Sequence, residues 1–185
     1  MITKLLITLS TLLLLLGGCE KKEQAPSKIE QSHEMTKPTV NLLTLTATDN
    51  KTFVMEPSEN GIKFHGLEGK IVLLDFFATW CPPCRAEMPH LVNLQKKYEG
   101  KIQILSVLLE KDKPNSEVIA FAKEYQMNFP ILNSKENFYL DQALGGIQSL
   151  PTLVVYDKEG NYADHFTGAA PEEMIEAVIQ KALSK

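Results

Sequence analysis

The run Asp75-Phe76-Phe77-Ala78-Thr79-Trp80-Cys81-Pro82-Pro83-Cys84-Arg85-Ala86-Glu87-Met88-Pro89 decides how the rest of the chain is read. The apolar residues from Ile71 to Phe77 lead into it and read as a buried strand. Beyond Trp80 the pattern becomes helical, with Ala86, Leu91, Leu94 and Tyr98 falling near one face. Two cysteines therefore stand where a strand hands over to a helix. The first amides of a helix lack partners and its dipole is positive there. A thiolate on Cys81 is expected to be stabilised, with a pKa below the free value of roughly 8.5. Pro82 and Pro83 fit a first turn, where no amide hydrogen is required. Pro89 is expected to kink the helix, and Gly100 to end it.

The two-residue spacing lets Cys81 and Cys84 close a disulfide within one turn, at a Cα separation of about 5.5 Å. Disulfide exchange needs a thiolate attacker, an accessible sulfur and a second thiol to resolve the mixed disulfide. Cys81, at the exposed helix start, is expected to attack, and Cys84, one turn further in, to resolve. Asp75 ends an apolar strand and is expected to lie buried beneath Cys84. Burial raises a carboxyl pKa, which suits Asp75 to accept the Cys84 proton. Glu87, three residues past Cys84, shares its side of the helix and is either a second functional acid or a solvated one. Arg85, the chain's only arginine, either favours the Cys81 thiolate and acidic partners or is simply solvated.

Rival chemistries fit poorly. Zinc needs four ligands, no second cysteine pair exists, and His65, His90 and His165 are scattered, so no metal is expected. Covalent haem attachment needs a histidine after Cys84, where Arg85 stands. Peroxiredoxin chemistry does not call for paired cysteines at this spacing. No cofactor is implied. The net charge of −4 over 185 residues, with 23% charged and 44% apolar residues, describes an ordinary single-domain core and no basic face for nucleic acid. With only Cys19 besides the pair, a structural disulfide framework is excluded.

Residues 1–18 read as a signal peptide. Lys4 gives the positive start, and Leu5 to Leu16 an apolar stretch of twelve residues, short of a bilayer core of about 30 Å. Leu16-Gly17-Gly18-Cys19 looks like a bacterial lipobox, which implies that Cys19 is acylated and anchors the mature chain. Residues 19–39, rich in Lys, Glu, Gln and Ser, read as a flexible tether of reach roughly 25 Å. The folded domain is then expected over residues 40–185.

Within it, strands are expected at Val40–Thr46, Thr52–Met55, Gly61–His65, Lys70–Phe77, Ile102–Leu109, Phe129–Leu132, Thr152–Asp157 and Tyr162–Thr167. Besides the cysteine-bearing helix, helices are expected at Ser116–Gln126, with Ser116 as cap, at Asn137–Leu144, and from Pro171 onward. This order implies a mixed central sheet with helices on both faces.

Trp80-Cys81-Pro82-Pro83-Cys84, with Asp75 six residues before, Pro89 five residues after and Leu150-Pro151-Thr152 downstream, resembles the thioredoxin superfamily from about Val40 onward. Glu87 is similar to the acid of its membrane-anchored TlpA/ResA-like branch. The resemblance implies an α/β thioredoxin-like fold with an N-terminal β-hairpin and a central helix–strand insertion. It also implies a cis Pro151 facing the disulfide, with the Leu150 backbone pairing with an extended substrate, and a place for Glu87 in the active-site cavity. Trp80, Pro82, Pro83, Leu150 and Pro151 form the expected substrate surface, with Trp80 shielding the disulfide. The implied protein is an extracytoplasmic thiol–disulfide oxidoreductase on the periplasmic side of a bacterial membrane. It would reduce protein disulfides, apocytochrome c being one candidate, with electrons from a membrane donor. A periplasmic oxidant or isomerase, and a redox-inert binding lipoprotein, are the alternatives.

Overall fold

The computed structural model describes residues 42–184. The signal peptide, Cys19 and the tether lie outside the described residues, as do Val40 and Asn41. Eight strands and four helices follow in the order β1 Leu43–Thr46, β2 Thr52–Ser58, β3 Gly61–His65, β4 Ile71–Phe77, α1 Pro82–Lys97, β5 Ile102–Leu108, α2 Asn115–Glu124, β6 Ile131–Leu132, α3 Glu136–Ala143, β7 Thr152–Tyr156, β8 Tyr162–Thr167 and α4 Glu172–Leu183.

The main sheet has the order β6-β5-β4-β7-β8. β4 pairs in parallel with β5, β5 in parallel with β6, and β4 antiparallel with β7. Every residue of β4 is buried, which is why it reads as an unbroken apolar run rather than an alternating one. Its side chains still alternate between two cores. Ile71, Leu73 and Phe77 join a core with residues of α1, α2 and α4, whereas Val72, Leu74 and Phe76 join the other core.

In that other core a helix, α3, lies on the second face as expected, and the expected N-terminal hairpin, β2 with β3, is joined there by β1. β1, β2 and β3 form a separate antiparallel sheet. Its Leu45, Met55, Ile62 and Phe64, with Leu140 of α3, cover the second face of the main sheet. This small sheet is clasped on both sides. Ala47 bridges to Leu132 of β6, and Gly61 bridges to Asn161 in the β7–β8 turn. At the second clasp Ile62 N–H donates to Gly160 O at 2.9 Å and Tyr162 N–H to Asn60 O at 2.9 Å. A Cβ on Gly61 would stand 2.2 Å from Gly160 O, so only glycine allows the turns to meet.

Two further differences have local causes. β2 runs past Met55 through Pro57 to Ser58, pairing with β3 as far as Ser58↔Gly61, while β1 starts only opposite Met55. α2 begins at Asn115 after Pro114 with no side-chain cap, so Ser116 lies in the first turn instead of capping it. Pro89 is inside α1, which continues to Lys97. Among the described residues no helix is long and apolar enough to cross a membrane.

Candidate active site

The strand-to-helix junction forms as read, with Cys81 as the extended N-cap of α1 and Pro82 and Pro83 as its first helical residues. Cys81 and Cys84 are joined by a disulfide with Cα atoms 5.3 Å apart. Cys84 N–H donates to Cys81 Sγ at 3.3 Å. Since neither proline has an amide hydrogen, this is the first N–H that the helix can offer, and it points at the sulfur. The expectation of several converging amides becomes one.

The expected exposure of Cys81 also needs correction. Cys81 is 3% exposed and Cys84 fully buried. The two cysteines thus differ little in solvent contact, and the asymmetry between them lies in the helix terminus. Trp80 does not cover the pair as a core residue would, since it is 63% exposed. With the exposed Pro82 and Pro83 it forms an outward surface beside the disulfide. Pro151 is buried and its peptide bond to Leu150 is cis. The pairing of Phe76 with Thr152 brings this bond to the redox end of the sheet. Leu150 packs against the core that holds both cysteines and also against the opposite one.

Both candidate carboxylates are interior. Asp75 has no exposed surface and faces the α1 side of the sheet, paired in register with Ser106. Ser106 Oγ donates to Asp75 Oδ2 at 2.6 Å, and Oδ1 has no partner among the described residues. Burial, less the help of that hydroxyl and with an added push from Glu87, raises the Asp75 pKa from 3.8 to about 7. Glu87 is 1% exposed, so the solvated reading of this acid is overturned. Its Oε1 accepts the Ala170 N–H at 2.8 Å, and its Oε2 has no partner among the described residues. Burial pushes its pKa up against the opposing effects of that amide and of His90. Two acids that hold protons more tightly than usual thus lie on the face carrying the cysteines.

Arg85 is tied down rather than freely solvated, its Nε donating to Thr79 O at 2.6 Å. Ser106, Ala170 and Glu110, whose Oε1 accepts Thr79 N–H at 2.5 Å, were not among the expected site residues. Ser106 left a trace in the sequence, because only it and Gln103 interrupt the apolar run of β5. Ala170 acts through its backbone and left none.

The profile of the Redoxin family matches residues 39–183. This chain belongs to the Redoxin family. This Redoxin-family chain is 35% identical over 130 residues to the thiol-disulfide oxidoreductase ResA of Halalkalibacterium halodurans, covering 69% of this chain and 72% of that one. It is 38% identical over 110 residues to the thioredoxin-like protein YneN of Bacillus subtilis, covering 59% and 63% of the two chains. Among solved structures it is similar to a thiol:disulfide interchange protein of the thioredoxin family from Chlorobium tepidum, at TM-score 0.63 and 25% identity over 77% of this chain and 93% of that one. StoA from Bacillus subtilis, at TM-score 0.57 and 19% identity over 74% and 95%, shares the fold. The Redoxin-family chain is a thiol–disulfide oxidoreductase with a thioredoxin-like fold, and Cys81 and Cys84 form its disulfide.

Proposed function

We propose that this oxidoreductase reduces protein disulfides on the extracytoplasmic side of a bacterial membrane, held there by acylated Cys19 after removal of residues 1–18. The observation that carries the redox part is the Cys81–Cys84 pair at the start of α1, on the same side of the sheet as two buried acids. The location is supported by the sequence of residues 1–39 alone.

In the working cycle, Cys81 thiolate attacks one sulfur of the substrate disulfide. A mixed disulfide forms and one substrate thiolate leaves. Cys84 then loses its proton and attacks Cys81 Sγ, which closes the Cys81–Cys84 bond and releases the second substrate thiol. Two electrons pass to the substrate, and a dithiol donor at the membrane restores the pair. With its pKa lifted to about 7, Asp75 is poised to take the Cys84 proton near neutrality and return it on reduction. Glu87, whose Oε2 has no partner among the described residues, is the second acid of the same interior. Trp80, Pro82, Pro83 and the Leu150–Pro151 bond offer the surface along which an extended substrate segment lies. Apocytochrome c, whose haem-binding cysteines must be reduced, is the candidate substrate that the ResA likeness favours.

Turnover of insulin disulfides with dithiothreitol as donor tests the reading, with Cys81→Ser as the inactive control. No turnover by the parent protein rejects it. The potential of the pair decides direction, and a value as oxidising as about −120 mV makes the protein an oxidant instead. The Cys84→Ser variant is expected to accumulate mixed disulfides on Cys81, and mass spectrometry of the trapped species names the substrate.

A further inference from the structure

Ala78, Thr79 and Trp80 form the loop between β4 and Cys81, and charged side chains take both polar groups of the Thr79 backbone. Its N–H donates to Glu110 Oε1 at 2.5 Å, and its C=O accepts from Arg85 Nε at 2.6 Å. Hydrogen bonds with an ionised partner are about twice as strong as neutral ones. Glu110, just past the end of β5, also lies 3.5 Å from Lys113 Nζ, which in turn is 3.0 Å from Glu117 in the first turn of α2. The Glu110 and Lys113 side chains are 13% and 23% exposed, so solvent screens this pair less than a surface one. A continuous charged strap therefore runs from Arg85 of α1 through Thr79, Glu110 and Lys113 to Glu117 of α2. It ties α2 to the loop that presents the exposed Trp80 and the redox cysteine.

We propose that Glu110 is a positioning residue for protein substrates: it fixes the Thr79–Trp80 loop so that the indole and Cys81 meet an incoming polypeptide as one rigid surface. A small disulfide needs only the sulfur of Cys81. A polypeptide also needs the surface beside it, and there a misplaced loop is felt. The inference rests on the reading that protein disulfides are the substrates.

Trp80 is the chain's single tryptophan, so its fluorescence reports this loop without labelling. Glu110→Ala removes the strap, whereas Glu110→Gln keeps an oxygen that can accept the Thr79 amide. For Glu110→Ala the Trp80 anisotropy is expected to fall and KM for insulin to rise about tenfold, with kcat changed less than about twofold. Its rate with hydroxyethyl disulfide is expected to match the parent, and Glu110→Gln to stay near the parent in every readout. Unchanged anisotropy in Glu110→Ala overturns the inference. So does an equal loss of rate on insulin and hydroxyethyl disulfide, which would make Glu110 a general support of the fold. A parent protein that leaves insulin untouched sinks the proposed substrate class instead, and the anisotropy still decides whether the strap holds the loop.

Discussion

The two faces of β4 are built from one run of seven buried residues and do opposite things. Toward the small sheet, Val72, Leu74 and Phe76 enter a core of apolar side chains. Toward α1, the same strand offers Ile71, Leu73 and Phe77 but also Asp75, near Glu87 and the cysteine pair. The first face contributes mainly through apolar burial. The second gives up some of that stability to keep protons and electrons close together. Neighbouring positions on one strand can thus be assigned to stability or to chemistry by which way they point.

Phe76→Ala attacks the apolar face and is expected to have the largest effect. Loss of a fully buried phenylalanine is expected to cost about 3–5 kcal/mol. Urea unfolding measures it, and kcat/KM of the molecules that remain folded should be little changed. A comparable loss of activity per folded molecule would blur the division between the faces.

Asp75→Asn acts on the neighbouring residue with the opposite sign. With its pKa raised from 3.8 to about 7, folded Asp75 keeps a proton that the unfolded chain has lost between about pH 4 and pH 7. The favourable contribution of this group is complete below about pH 4 and is lost as pH rises through about 7. At roughly 1.4 kcal/mol per unit, ionising Asp75 in the fold costs up to about 4 kcal/mol at pH 8. The neutral variant is therefore expected to match the parent near pH 4 and to exceed it increasingly toward pH 8, by thermal unfolding across that range. Its insulin reductase activity is expected to fall about a hundredfold at pH 7. A pH-independent difference in stability would deny Asp75 its place in the interior.

Gly61→Ala tests the clasp that holds the small sheet in place. The added Cβ meets Gly160 O at 2.2 Å, backbone against backbone, and an overpacking cost of about 1–3 kcal/mol is expected in denaturant unfolding. Since the clasp serves the apolar face, hydroxyethyl disulfide turnover should hold.

Pro83→Ala has the smallest expected effect. It gives the first turn a second amide hydrogen near Cys81 Sγ, so alkylation of the reduced protein by iodoacetamide at pH 7 is expected to quicken about two- to threefold. Slower alkylation would mean that the helix terminus does not govern this sulfur.

Much of the redox face was legible in the sequence because its signals are local. The strand-to-helix switch at Trp80, the two-residue cysteine spacing and the prolines of the first turn need no distant partner to be recognised. Cys81 and Cys84 form the disulfide that their spacing suggests, and Asp75 and Glu87 are buried close enough to affect one another. The small sheet and its position were less legible, because its short strands show only that they pair and not which face they cover. The depth of Cys81 escaped for a similar reason, since it depends on packing by segments remote in the chain. Glu110 reads as one acid in the polar stretch Glu110–Asn115. Only the spatial neighbourhood of β4 and β5 shows that it holds the Thr79 amide.

The placing of the redox pair at the end of the middle strand has a further consequence. β4 is hemmed in by β5 and β7 on its edges and by a core on each face, and its end runs straight into Thr79, Trp80 and the cysteine pair. A donor and a substrate both have to meet the pair at the same exposed rim of Trp80, Pro82 and Pro83, so discrimination between them falls to that surface.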